Sequence, residues 1–189
     1  YQLGISDVQA LQIMFANAYA RYTKPEAPVV WKEYGHHVWP GYDDANFVPS
    51  EVLLQTQANY YRYALEYALN SYTSGMFCWT SYGGYRTDEK SDYGIFNPDG
   101  SDRPVTTLMR EYAPKIIGQG EREDEVFIEI ERDDYVGGIF GMFDAVKDEL
   151  AAALEAGKAV TFVNAKQSED GKHAYADTLI DYAVADAKT

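Results

Sequence analysis

Two short runs of β-branched and aromatic residues, Val29-Val30-Trp31 and Met76-Phe77-Cys78-Trp79-Thr80, are separated by a long stretch of helical periodicity. Such runs suit buried strands. A helix between them excludes a tight hairpin and leaves a parallel pair joined by a crossover. The helical faces are explicit. Ser6 and Gln9 have capping-box spacing, and Val8, Leu11, Phe15, Ala18 and Tyr19 fall on one face of a helix predicted over 6–20. A second helix is predicted from Ser50, its N-cap, to about Tyr72, with Leu54, Ala58, Tyr61, Leu65 and Ala68 on its buried face. Pro104 suits the first turn of a third helix, expected to end before Pro114. Residues 1–113 therefore read α-β-α-β-α, with long loops at 36–49 and 81–101, the second holding an Asn-Pro-Asp-Gly turn at 97–100.

Gly118 to Asp124 is a polar linker. Beyond it the pattern predicts a strand at 125–130, a helix at about 140–156 ended by Gly157, a strand at 160–164 and a last helix at about 172–187. The fold class is thus α/β, in three parts: 1–117, the linker 118–124, and a partial βαβα unit over 125–189. Neither part has enough strands to close a barrel or bury both faces of a sheet. Without an initiator Met, and running straight into a helix, the chain is expected to be a piece of something longer.

Charge narrows the partners. Residues 1–120 carry 13 acidic and 9 basic groups, and residues 121–189 carry 17 acidic and 7 basic. Nucleic acid and anionic membrane surfaces both call for basic patches, so neither is expected as a partner. No run approaches the ~20 apolar residues of a membrane span. Cys78 has no second cysteine to pair with.

Catalytic groups on parallel sheets gather where strands give out into loops. The first strand ends in Lys32-Glu33-Tyr34-Gly35, followed by His36, His37 and Trp39, and Glu33 is the candidate for chemistry. Trp79 ends the second strand, where its ring could stack on the C–H face of a pyranose. Tyr82, Tyr85, Arg86 and Glu89 follow in the loop, placed to bind hydroxyl groups, and Trp39 and Tyr42 are similar candidates; solvated charge is the plainer reading of such loops. The pair His36-His37 lacks further spaced ligands, so no metal is expected. Asp133-Asp134 reads as an interface or a solvated loop, because two acids repel phosphate and no glycine-rich fingerprint is present.

PVVWKEYG at 28–35, the helix SEVLLQTQANYYRYALEYALNSYTSG, then MFCWTSYGGY and SDYGIFNPDGSDRP together resemble the last quarter of a clan A glycoside hydrolase (β/α)8 barrel, over about residues 1–115. The resemblance implies the C-terminal portion of a TIM barrel and retaining hydrolysis of β-glycosidic bonds in oligo- or polysaccharides. It places Glu33 at the nucleophile position ending the seventh strand and Trp79 at the tryptophan ending the eighth. Tyr34, His36, His37, Trp39, Tyr82, Arg86 and Glu89 are then candidate sugar contacts, and no cofactor is implied. The clan's acid/base glutamate follows an asparagine, and no Asn-Glu pair occurs in these 189 residues. Retaining hydrolysis needs two carboxyl groups, so the second is expected upstream and the piece alone is expected to be inactive. The acidic βαβα part is similar in order to the α/β domain after the barrel of some bacterial β-galactosidases, which implies a homo-oligomer formed through it. The alternative is a non-catalytic sugar-binding or oligomerisation module with barrel-like wiring.

Overall fold

The computed structural model describes residues 7–39, 44–120, 122–130 and 137–164. Along them run α1 (Asp7–Thr23), β1 (Val30–Tyr34), α2 (Glu51–Leu69), β2 (Gly75–Cys78), α3 (Pro104–Ile117), β3 (Glu125–Ile130), α4 (Gly138–Glu155) and β4 (Ala159–Asn164). This is an α/β fold, and both strand pairs, β1–β2 and β3–β4, are parallel. Ser6, Tyr42, Asp133, Asp134 and the helix expected at 172–187 lie outside the described residues. Among the described residues no helix is long and apolar enough to cross a membrane.

The described chain forms two compact units that are not consecutive stretches. Val30–Glu66 and Ser74–Gln119 make one; Asp7–Val29, Tyr67–Thr73 and the chain from Gly120 onward make the other. Helix α1 thus groups with β3, β4 and α4, and the division falls inside α2.

In the first unit, β1 and β2 pair Val30 with Gly75, Trp31 with Met76 and Tyr34 with Cys78, with a register shift between Trp31 and Tyr34. Helix α2 starts where expected. The Ser50 Oγ accepts the Leu53 N–H at 3.4 Å, and the first intrahelical bond runs from Leu54 N–H to the Ser50 carbonyl. Ala58, Tyr61 and Leu65 are buried as the spacing predicts, whereas Leu54 is only half-buried. The helix stops at Leu69, short of Tyr72, whose φ of 56° lies in the left-handed region and cannot continue it.

Helix α3 begins with Pro104 at its first position but does not end before Pro114; it runs on to Ile117 with that proline inside. A proline this late removes one backbone bond, to the carbonyl four residues back. The Gly118 N–H then bonds the Pro114 carbonyl at 3.0 Å and closes the end. Burial of Ile116 and Tyr112 on the inner face favours continuing the helix.

The second unit has a simpler core. Six consecutive residue pairs align β3 with β4, and Ile128, Val160 and Phe162 are wholly buried. Helix α4 adds Met142, Val146 and Leu150, and α1 adds Phe15, whose ring meets Phe143 edge-on at 5.4 Å and Phe162 at 5.7 Å. Asn17 is buried there too, its amide donating to Ser71 and Thr73 hydroxyls.

Candidate active site

The described site candidates lie in the first unit, at and beyond the C-terminal ends of β1 and β2. Tyr34 and Cys78 are paired, Glu33 directly precedes the one and Trp79 directly follows the other. Glu33 is half exposed, with the Lys32 Nζ 3.7 Å from its carboxylate. Immediately beyond, the strand ends are locked together. The Trp79 N–H donates to the Tyr34 carbonyl at 2.8 Å, and a Cβ on Gly35 would lie 2.4 Å from the Trp79 carbonyl oxygen. Only glycine fits at 35, which gives the Glu-Tyr-Gly order a steric cause. The Trp79–Thr80 peptide bond is cis.

Tyr34 itself is not a surface group. It is 6% exposed, and its ring packs 5.0 Å from Tyr61 of α2. Expected as a sugar contact, it is buried here against Tyr61. Burial pushes both phenols well above the usual range, so they stay neutral.

The histidines join an aromatic cluster. His36 stacks on His37 at 5.6 Å and lies 5.3 Å from Tyr60; His37 lies 5.5 Å from Tyr93 and 6.3 Å from the half-exposed Trp39. Burial lowers the His36 pKa and favours the neutral ring. The Gln57 amide donates to the His36 carbonyl at 3.0 Å and to the Gly94 carbonyl at 3.1 Å, joining the two loops from beneath. Val38 and Asp92 join them again through two backbone bonds, of 2.7 and 3.2 Å.

Trp79, Arg86 and Glu89 come together. The Arg86 guanidinium carbon stands 5.1 Å from the centre of the Trp79 ring, and its Nη2 is 3.0 Å from Glu89 Oε1. Tyr82 is largely exposed, its ring 6.4 Å from Phe96.

What holds this loop was not visible in the sequence. Arg103, wholly buried, donates to both Asp92 carboxylate oxygens at 3.2 and 2.6 Å, to the Gly94 carbonyl at 2.7 Å and to the Asn97 side chain at 3.1 Å. Above it, Gly83 and Gly94 cross so closely that a Cβ on Gly94 would be 2.1 Å from Gly83. Asp92 also accepts the Gly94 N–H at 2.8 Å. The one local signal is an arginine directly before an N-terminal helix proline, with an acid two residues before a glycine.

The α/β fold is similar to that of GH5_18 glycoside hydrolases. Three solved structures carry the likeness. A GH5_18 protein from Streptomyces cattleya in complex with GlcNAc matches with a TM-score of 0.53 and 15% identity, over 91% of this chain and 42% of that one. A GH5_18 variant from Bifidobacterium longum subsp. longum in complex with Manβ1-4GlcNAc gives 0.59 and 16%, over 87% and 40%. A third, from Bifidobacterium longum subsp. infantis, gives 0.51 and 18%, over 88% and 40%. The likeness at these identities is one of fold, and the chain spans 40–42% of the length of these proteins. No protein-family model matches the chain, nor does any curated protein.

Proposed function

We propose that residues 1–117 form the C-terminal part of a retaining β-glycosidase barrel in which Glu33 is the nucleophile. The observation that carries this reading is the junction of the strand ends, where Glu33 precedes a glycine seated against the carbonyl of Trp79. A Glu33 oxygen bonds the anomeric carbon as the glycosidic oxygen leaves with a proton from a second carboxyl group, which we assign to sequence outside these 189 residues. Water, deprotonated by that second group, then displaces Glu33 and restores the starting configuration. Trp79 gives the sugar an apolar stacking face, and His36, His37, Trp39, Tyr82, Arg86 and Glu89 are the candidate polar and aromatic contacts. Because two of the similar structures hold Manβ1-4GlcNAc or GlcNAc, β-mannosides join β-glucosides and β-galactosides as the first substrates to try.

The acidic part, residues 125–189 after the linker 118–124, is read as an accessory α/β domain that assembles copies of the protein. A likeness spread over 91% of the chain takes in residues beyond 117, which favours treating both parts as belonging to one kind of protein. Proton NMR of the first-formed sugar tests the mechanism on the full-length protein: the β anomer is expected, and the α anomer would contradict a glycosyl-enzyme on Glu33. Sedimentation of the same protein tests the assembly role, with a monomer contradicting it.

A further inference from the structure

Arg86 and Glu89 sit on a short hairpin whose backbone is fixed. Arg86 and Ser91 exchange two backbone hydrogen bonds, of 2.9 and 3.4 Å, and the Ser91 hydroxyl donates to the Glu89 carbonyl at 3.0 Å. Lys90 takes the left-handed conformation, at φ 53°, that the tight return requires. Asp92, directly after Ser91, is anchored by buried Arg103. The two side chains are therefore presented in one place rather than left to search.

Their polar atoms are unevenly used. Glu89 Oε1 is paired with Arg86, but Oε2 is buried and has no hydrogen-bond partner among the described residues. A desolvated carboxylate oxygen without a donor is costly, and a ligand that brings an O–H removes that cost. Arg86 engages Glu89 through Nη2, one of the nitrogens of a guanidinium that carries five N–H donors in all. The partly exposed Trp79 ring beside them supplies the apolar surface for a pyranose. One donor set, one acceptor and one flat apolar face in contact match a polyhydroxylated ring.

Resting on the glycosidase reading of this site, we propose that the Arg86–Glu89 pair selects uncharged sugars, admitting a neutral pyranoside and rejecting its uronic-acid counterpart. The pair carries no net charge. A neutral sugar gives an O–H to Glu89 Oε2 and accepts from Arg86 with the ion pair intact. With C6 seated at the pair, a uronide presents a carboxylate that has no proton to give there, repels Glu89 and must compete with it for Arg86.

The test is titration calorimetry on the full-length protein carrying Glu33→Gln, using methyl β-glucoside, β-galactoside and β-mannoside, each matched with the methyl uronide differing only at C6. Neutral members are expected to bind at least about tenfold tighter than their uronides, the scale of one charge-assisted hydrogen bond. Adding Glu89→Gln leaves Arg86 uncompensated, so the neutral sugar weakens by about tenfold and the uronide gains. Glu89→Asp keeps the charge but withdraws the oxygen; it weakens the neutral sugar while still rejecting the uronide. Equal binding of both members, binding of none, or a Glu89→Gln profile like that of its parent would overturn the proposal. Since binding is read without turnover, selectivity reports on the ion pair. Covalent labelling of the unmutated protein reports separately on Glu33.

Discussion

The β3–β4 pair and the β1–β2 pair are both parallel, yet they bury different things. Along β3–β4 the register is unbroken for six residue pairs, and its wholly buried side chains include Ile128, Val160 and Phe162. Along β1–β2 the register slips between Trp31 and Tyr34. Around that pair's C-terminal end lie buried Arg103, Asp92 and Gln57. A regular pair packed with hydrocarbon has one task, to exclude water. In the irregular pair, backbone carbonyls and glycines are held at close quarters by hydrogen-bonded polar groups, which tie the strand-end loops together beside buried Val38 and Ile95. A buried ion pair is weak evidence of stability gained; what Arg103 adds here is its hydrogen bonds to Gly94 and Asn97, which join the loop to the start of α3.

That contrast can be broken experimentally. Arg103→Met strands the Asp92 carboxylate in the interior and removes the hydrogen bonds to Gly94 and Asn97. A loss of about 3–5 kcal/mol in urea unfolding is expected, along with loss of sugar binding near Trp79. Leu150→Ala in α4 opens a cavity and costs about 2–5 kcal/mol, while sugar affinity of the folded fraction stays unchanged. If the two variants lost binding equally, the separation of roles would be wrong. Gly35→Ala drives a methyl group into the Trp79 carbonyl. About 1–3 kcal/mol is expected, and a shift in Trp79 fluorescence should accompany it.

The smallest effect depends on pH. Burial holds the His36 imidazole below its ordinary pKa of 6.5, so the unfolded chain takes up a proton that the folded protein resists. Stability should therefore fall as pH drops through 6.5, the unfolded value, and be recovered above it. His36→Phe should flatten that part of the profile of urea midpoint against pH. An unchanged slope would mean that His36 is not the group responsible.

The order of elements was legible because burial leaves a periodic mark. Leu11, Phe15 and Ala18 on α1, and Ala58, Tyr61 and Leu65 on α2, are buried as their spacing predicts. The end of α3 was not, since a proline one turn from a helix end removes a single bond that the packing of Ile116 outweighs. The burial of Tyr34 is not legible from its place beside Glu33, since the register shift between Trp31 and Tyr34 breaks the alternation a regular strand would show. Arg103 and Asp92 stand eleven residues apart with no shared periodicity, and they meet only because Gly83 and Gly94 cross. Such a contact is a product of the closed loop, and no local pattern encodes it.

The central claim, that Glu33 is a nucleophile, is tested most directly by trapping. The full-length protein is incubated with dinitrophenyl 2-deoxy-2-fluoro β-glucoside, β-galactoside and β-mannoside, whose leaving group departs without protonation, and peptides are mapped by mass spectrometry. One fluoroglycosyl adduct on Glu33, absent in Glu33→Gln, is the predicted result. A folded protein that carries no adduct, or carries it on another carboxylate, would contradict the account.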